Sequence, residues 1–364
     1  MRIKPAHIIG SIARTLVALT FLFSGFVKAV DPLGTVYKIE DYLKAFGGFF
    51  TDLMPLAGVA AVCLILVEWL LGWALLANIK TRWTSWIALA FYLVMTPLTL
   101  YIALKNPVTD CGCFGDAVVL TNWQTFYKNV VLLTLVILLL ICRKSIPQLF
   151  SNWMEGIIMG LALLAGGCIM GYSYTHLPPL DFRPYKVGNH IPTLMAVPDD
   201  AEPDQYETTL IYADEEGNEK EFTLENYPKG DSAWIFVDQR SVLVKKGYEA
   251  PIHDFEILTM EFEDITYDIL ESEEPVTLIT MYDLHKSDRS QMSKVKNLLE
   301  RENTYILTGS GEEEIEAFCE EYDIDLASFC SIDPVTLKTI VRANPGMFVV
   351  QNGTIISKAN LRQL

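Results

Sequence analysis

Long apolar runs fill the first half of the chain, separated by short polar segments. Each approaches the roughly 20 residues that an α-helix needs to cross a bilayer core of about 30 Å. Five runs extend over residues 8–30, 54–77, 83–104, 126–142 and 157–174. The first is too long for the apolar part of a signal peptide and four more follow it, so we predict that it stays in the mature protein as a membrane helix.

A shorter amphipathic segment follows the first run. Its apolar residues recur at close to helical spacing, at Val36, Ile39, Leu43, Phe46 and Phe50. This pattern predicts a helix that lies on the membrane surface and does not cross the bilayer.

The pattern changes after residue 178, where strand-like stretches alternate with charged helical ones. Two strands around a Gly-Asn turn predict a β-hairpin over residues 208–224. Further predicted strands are 234–237, 242–244, 276–281, 305–308, 347–351 and 354–357, and the predicted helices are 290–301, 312–322 and 336–342. Alternation of this kind, closed by a terminal hairpin, indicates an α/β sandwich.

These patterns divide the chain into four parts. Residues 1–145 form a four-helix membrane domain, and residues 146–177 form a fifth transmembrane helix. Residues 178–250 form a β-rich linker or subdomain, and residues 251–364 form an α/β domain. The predicted fold class is a membrane α-helical bundle followed by an extracytoplasmic α/β domain.

The distribution of charge supports the same division. Residues 1–177 contain 12 Lys+Arg and 8 Asp+Glu, whereas the remainder contains 16 and 37, so the two halves carry +4 and −21 of the total −17. A surface this acidic repels nucleic acid and anionic lipid, which excludes both as partners of the C-terminal half. The lipid bilayer is the expected partner of the other half.

Basic residues gather at three ends of the predicted spans, all on one side of the membrane. They are Arg2, Lys4, Lys80, Arg82, Arg143 and Lys144. The positive-inside rule makes this side cytoplasmic. We therefore expect a multi-pass protein of the cytoplasmic (inner) membrane, with a cytoplasmic N-terminus and a periplasmic or otherwise extracytoplasmic C-terminal domain.

Two ionisable residues, Arg14 and Glu68, lie inside predicted spans. Counting about 1.5 Å per helical residue from the span ends places them at similar depth, so we expect them to form a pair. Intramembrane charges commonly mark proton or quinone sites. The alternative is a buried ion pair that fixes the helix register, and the matched depth favours this alternative.

The segment Cys111-Gly112-Cys113 occupies a polar loop on the predicted outer side. It is open to three interpretations: a redox-exchange pair, a passive disulfide that braces the loop, or a metal site. A disulfide across one intervening residue is strained, and strained disulfides are the readily reduced ones. No histidine lies nearby to complete a metal site of common composition. We favour redox exchange and predict no metal.

Several of these residues carry a resemblance to a known family. The combination of Ser24-Gly25 with Lys28, Glu68 with Gly72, and Cys-Gly-Cys-Phe-Gly at residues 111–115 resembles the MauE/DoxX family over residues 1–145. The resemblance implies a redox-associated membrane protein with a four-helix core, in a family linked with disulfide formation and with quinone-dependent sulfur oxidation. It makes Cys111 and Cys113 a redox pair and, less directly, Glu68 a quinone-site residue.

The last domain resembles the thioredoxin-like fold. Pro251 with His253-Asp254-Phe255 is similar to the start of peroxiredoxin and TlpA-type relatives, and Asn344-Pro345-Gly346 stands where that fold places a cis-proline. The chain departs from the family at the catalytic position, because residues 282–288 contain no Cys-x-x-Cys. We therefore expect no dithiol exchange here, and expect the groove at Pro345 to bind a peptide through a strand edge.

Two further cysteines, Cys319 and Cys330, lie in this last domain. We weigh three possibilities for them: a structural disulfide, two buried thiols, or redox exchange with the Cys111 pair. A structural disulfide or two buried thiols, taken together, are favoured over redox exchange.

Two functions compete at this point. The favoured one is a membrane component of thiol-disulfide exchange, in which Cys111 and Cys113 act on an extracytoplasmic protein and electrons pass to or from a quinone. The alternative is a non-enzymatic membrane anchor whose thioredoxin-like domain binds an envelope protein. A transporter is disfavoured because the five spans show no internal repeat.

Overall fold

The computed structural model describes residues 5–108, 111–203, 205–214, 216–230, 233–245 and 247–364. Within these residues, five helices have the length and composition of membrane spans, as predicted. The first six helices are α1 (Pro5–Val30), α2 (Pro32–Phe46), α3 (Ala57–Leu76), α4 (Thr81–Lys105), α5 (Asn122–Cys142) and α6 (Asn152–Thr175). All except α2 are span candidates, and a 3-10 segment, Gly48–Leu56, extends the second span at its start.

Glycines set the register between α1 and α3. A Cβ atom on Gly25 would stand 2.7 Å from the backbone N of Trp69, and one on Gly72 would stand 2.7 Å from the backbone N of Leu22. Small residues let membrane helices approach this closely. The apolar core beside this contact includes Val17, Phe21, Leu71, Leu75, Ala88, Tyr92, Val136 and Leu139.

One end of the bundle is basic. The α1 start lies against the end of α5, since a Cβ on Gly10 would stand 2.7 Å from Cβ of Cys142. The α3–α4 turn reaches the α5–α6 connection through Asn78, which donates to the Pro147 carbonyl. The basic residues Lys80, Arg82, Arg143 and Lys144 therefore gather at this end, whereas Arg2 and Lys4 lie outside the described residues.

The predicted amphipathic helix is α2, at the opposite end of the bundle. It begins after Asp31, whose Oδ1 accepts from the backbone N–H of Gly34 at 2.9 Å. Pro32 occupies the first turn, where its missing N–H costs nothing, and the helix stops at Gly47, which has φ +63°. Near its end Phe46 packs against Tyr101 of α4, with ring centroids 5.8 Å apart.

Residues Asn189–Phe255 form a compact unit of their own. The unit contains α7 (Ile191–Met195), β1 (Gln205–Ala213), β2 (Glu219–Thr223) and β3 (Ile235–Lys245), in sheet order β2-β1-β3. The predicted hairpin is the antiparallel pair β1–β2, although Glu215 of its turn lies outside the described residues. The strands predicted at 234–237 and 242–244 are parts of one strand, β3, because β3 pairs with β1 along most of its length.

The C-terminal residues fold into the predicted α/β arrangement. Its elements are β4 (Leu258–Thr259), α8 (Thr266–Leu270), β5 (Val276–Thr280), α9 (Met292–Leu299), β6 (Thr304–Thr308), α10 (Glu312–Tyr322), β7 (Phe329–Ser331), α11 (Pro334–Ile340), β8 (Gly346–Gln351) and β9 (Thr354–Asn360). They build one sheet of order β4-β7-β6-β5-β8-β9, in which β5, β6 and β7 are parallel.

Two details refine the prediction for this part. The Asn344–Pro345 peptide bond is cis, as expected. Residues 256–364 also belong to the same compact unit as residues 1–188; the division of the chain at residues 145, 177 and 250 stays a prediction.

Candidate functional site

The two loop cysteines come together at the end of the bundle away from the basic residues. Cys111 Sγ and Cys113 Sγ are free thiols 3.1 Å apart, and both residues are half-buried. Gly112 between them has φ +63°, and a Cβ there would stand 2.8 Å from Cγ of Lys38 on α2. Only glycine adopts this conformation at little cost. We call residues 111–116 the Cys loop; Thr109 and Asp110, just before it, lie outside the described residues.

Hydrogen bonds from two helices hold the Cys loop. Tyr42 OH of α2 donates to the Cys111 carbonyl at 2.9 Å. Ser24 Oγ of α1 lies 2.6 Å from the Cys113 carbonyl and 2.8 Å from Oε2 of Glu68. One hydroxyl carries one proton, so Ser24 donates to one of these two acceptors at a time.

Glu68 pairs with Lys28, and the predicted pair with Arg14 is wrong. Lys28 Nζ lies 2.7 Å from both carboxylate oxygens, and both side chains are buried. Two nitrogens of Arg14, Nε and Nη1, are buried without a hydrogen-bond partner among the described residues.

The helix register explains the correction. Because Gly25 lies against Trp69 and α3 runs antiparallel to α1, residue 14 of α1 is level with about residue 80, beyond the end of α3 at Leu76. Glu68 is therefore about 12 residues, or roughly 18 Å, from that level. The predicted depths of Arg14 and Glu68 are counted from the ends of the apolar runs. Those ends do not show which residues of two neighbouring helices lie at the same level.

The thiols and the Lys28–Glu68 pair share one cavity of about 270 Å³. Its walls from α1, α3 and α4 are largely apolar, and include Phe21, Leu64, Phe91, Tyr92, Met95 and Leu98. The lining also includes Lys38 and Tyr42 of α2. The segment after α6 contributes Pro178, Leu180 and Arg183. The cavity thus joins an apolar space between membrane helices to a redox-capable pair of thiols.

The two thiols differ in acidity. The hydrogen bond from Cys111 lowers the pKa of Cys113 to about 6, with Lys128 adding to the effect against the opposing influence of burial. The same hydrogen bond and burial raise the pKa of Cys111. Cys113 is therefore the thiolate of the pair, and the thiolate is the nucleophile in exchange. Lys128 of α5 was not identified from the sequence, since nothing there marks it as close to the loop.

The C-terminal α/β part contacts the same region. Arg342 Nε lies 2.9 Å from Asp31 Oδ2, and its Nη2 lies 3.1 Å from Asp116 Oδ2 in the Cys loop. Tyr37 OH of α2 and Tyr282 OH lie 3.0 Å apart. Sequence reasoning missed these residues, because pairs 245 or 311 positions apart leave no local pattern.

The remaining candidates lie elsewhere. Pro345 is buried, and binding of a peptide at its groove stays a prediction. Cys330 of β7 is buried and Cys319 of α10 is half-buried; both are free thiols, so the predicted alternative of a disulfide between them is wrong. Burial raises the pKa of Cys330 to about 11, which makes it a poor nucleophile.

The five span candidates define a multi-pass membrane protein with a polar site at one end of its bundle. Residues 6–142 match the family described as Methylamine utilisation protein MauE. This part of the chain, which contains the first four span candidates, is therefore similar to that membrane-protein family. Residues 206–246 match a domain of unknown function, DUF8463. No curated protein and no solved structure matches the chain.

Proposed function

We propose that this protein is a membrane thiol-disulfide oxidoreductase whose Cys111–Cys113 pair exchanges with an extracytoplasmic protein. The observation that carries the proposal is the placement of two thiols 3.1 Å apart at a cavity that also contains the buried Lys28–Glu68 pair. A passive loop staple requires neither a lowered thiol pKa nor a cavity with a buried ion pair beneath it.

The exchange chemistry follows from the acidity of the two thiols. A dithiol of the partner protein attacks the Cys111–Cys113 disulfide and forms a mixed disulfide; its second thiol then releases the partner in oxidised form. The pair is left as two thiols, with two electrons and two protons gained. In the opposite direction the Cys113 thiolate attacks a partner disulfide, and Cys111 resolves the mixed disulfide.

A quinone fits the apolar side of the cavity. A quinone held there would supply or accept the two electrons and two protons that the thiol pair exchanges. Aromatic walls from Phe21, Phe91 and Tyr92 suit a flat ring. Glu68 is connected through Ser24 to the Cys loop, so the ion pair lies between the apolar side of the cavity and the thiols.

The placement in the cell follows from charge. Four described basic residues lie at one end of the bundle, and the Cys loop lies at the other. If the basic end is cytoplasmic, as the positive-inside rule requires, then the thiols and the C-terminal part face the oxidising side of the inner membrane, where disulfides persist.

The C-terminal part is proposed to be thioredoxin-like. Its parallel strands β5, β6 and β7 and its antiparallel pair β8–β9 support this assignment. It contains no Cys-x-x-Cys, so its contribution is binding or positioning. The competing function, a membrane anchor without redox activity, shares this feature and differs only in the behaviour of the loop cysteines.

The decisive experiment is a redox titration in native membranes. Thiols are alkylated across a series of defined potentials and identified by mass spectrometry in wild type, Cys111→Ser and the control Cys319→Ser. We expect reversible oxidation between about −120 and −270 mV, the range of known exchange proteins, in wild type and in the control, and its loss in Cys111→Ser. Thiols that never oxidise, or a bond that stays closed far below this range, would establish the anchor instead.

A further inference from the structure

Arg342 joins three parts of the chain that are far apart in sequence. It follows α11, and its side chain is buried, with 6% of the residue exposed. Nε binds Asp31 at the α1–α2 corner, Nη2 binds Asp116 of the Cys loop, and Nη1 donates to the carbonyl of Lys338 in α11. A guanidinium serves several acceptors at once because its donors form a rigid planar fork.

The two carboxylates held by Arg342 have separate structural tasks. Asp31 caps the start of α2 through Gly34 N–H, and Arg342 and Arg183 keep the pKa of Asp31 below its ordinary value despite burial. Asp116 stands three residues after Cys113 and is half-exposed. The buried Arg342 side chain thus connects the Cys loop to the start of α2.

Helix α2 lies in contact with both the Cys loop and the C-terminal part. Tyr37 contacts Tyr282, and Lys338 of α11 lies 4.9 Å from the centre of the Tyr37 ring and 5.4 Å from that of Tyr282. The neighbouring residue Lys38 packs against Gly112 of the loop. Tyr42, one turn further along, donates to the Cys111 carbonyl. Movement of the C-terminal part would therefore be transmitted to both cysteines.

We propose that Arg342 is a positioning residue for the Cys111–Cys113 pair: by binding Asp31 and Asp116 together, it holds the Cys loop on α2 in the arrangement that brings the two thiols within 3.1 Å. The C-terminal part that carries Arg342 then governs the reactivity of a redox pair that it does not contain. The catalytic consequence of this proposal rests on the proposed function, but the positioning does not.

The test measures the rate of alkylation of Cys113 against pH in the full chain in detergent. Cys113 depends on the hydrogen bond from Cys111 for its acidity. A displaced loop loses that hydrogen bond, so in Arg342→Gln we expect the midpoint of the profile to move from about 6 towards the ordinary thiol value of about 8.5. Arg342→Lys, which reaches one carboxylate, should give an intermediate midpoint.

Two further variants separate positioning from loss of folding. Asp116→Asn removes only the pair with the half-exposed loop carboxylate, so it keeps the α2 cap and should shift the midpoint in the same direction. Lys358→Gln removes a different buried ion pair of the C-terminal part, with Asp181, at 2.7 Å. This matched control should leave the Cys113 midpoint within a few tenths of a unit of wild type.

The outcomes are distinct. Unchanged midpoints in Arg342→Gln and Asp116→Asn would overturn the proposal, as would an equal shift in Lys358→Gln. Shifted midpoints in a protein whose thiols never cycle in the redox titration would support the positioning role and reject the proposed oxidoreductase function. Wild-type midpoints in Arg342→Gln and Asp116→Asn, combined with reversible oxidation of the thiols in the redox titration, would reject the positioning role and support the proposed oxidoreductase function.

Discussion

The ammonium of Lys28 lies 2.7 Å from each carboxylate oxygen of Glu68, within the bundle and directly beneath the Cys loop. Ser24 lies beside both, with its hydroxyl 2.9 Å from the Lys28 nitrogen and 2.6 Å from the Cys113 carbonyl. A buried ion pair therefore connects the core of the membrane domain to the proposed redox pair. Its partners determine both the stability of the bundle and the position of the loop.

Loss of Lys28 should destabilise the bundle strongly. In Lys28→Met the Glu68 carboxylate keeps its burial but loses its counter-charge, which typically costs about 3–5 kcal/mol. Thermal unfolding in detergent should show a clear fall in midpoint, and the double variant Lys28→Met/Glu68→Leu should recover much of it. If Lys28→Met were as stable as wild type, the Lys28–Glu68 pair would not be buried as described.

The two thiols should differ in pH dependence. Because the pKa of Cys113 is lowered to about 6, its alkylation rate should fall as pH decreases through about 6 and stay near its maximum above about 7. In Cys111→Ala the donated hydrogen bond is missing, so the midpoint should rise by one unit or more. Mass spectrometry of peptides alkylated across a series of pH values provides the measurement, and identical profiles for the two proteins would contradict the assignment of the thiolate.

The close approach of α1 and α3 predicts a sharp difference between glycines. In Gly25→Ala the new Cβ would meet the Trp69 backbone at 2.7 Å, so the helices must separate, at a cost of about 1–3 kcal/mol. Gly58→Ala, at the start of α3, has no atom within 4 Å of its new Cβ and is the matched control. Comparison of the unfolding midpoints tests the prediction, and equal effects of the two variants would refute it.

The cavity predicts a selective effect on the quinone step. Met95 lines the cavity on α4, so Met95→Trp should fill part of the space and lower quinone-dependent reoxidation of the thiols about tenfold, the effect of roughly 1.4 kcal/mol on the barrier. Leu93→Trp on the same helix is exposed and should have little effect. Reoxidation is followed with a water-soluble quinone, and reaction with a soluble dithiol should stay unchanged in both variants. If the two tryptophans act alike, the quinone does not bind in this cavity.

Local pattern was sufficient for much of the architecture. Apolar runs of span length identify the five helices, since a bilayer imposes a minimum length that soluble helices rarely meet with so few charges. The helix at Glu312–Tyr322 was predicted with its observed bounds, because its apolar positions recur at helical spacing. Gly112 likewise indicates a tight turn between the two loop cysteines, because glycine tolerates backbone angles that other residues avoid.

The sequence by itself determined the local features, which are the five spans, the α/β alternation and a pair of cysteines in one polar loop. Only the tertiary structure decided which charges meet. The register of α1 against α3 places Glu68 beside Lys28. The fold brings Arg342 to Asp31 and Asp116, which are 311 and 226 positions away in the sequence. The physical reason is that periodicity reports how a segment faces its surroundings, whereas a pair of buried charges depends on the alignment of segments that share no local signal.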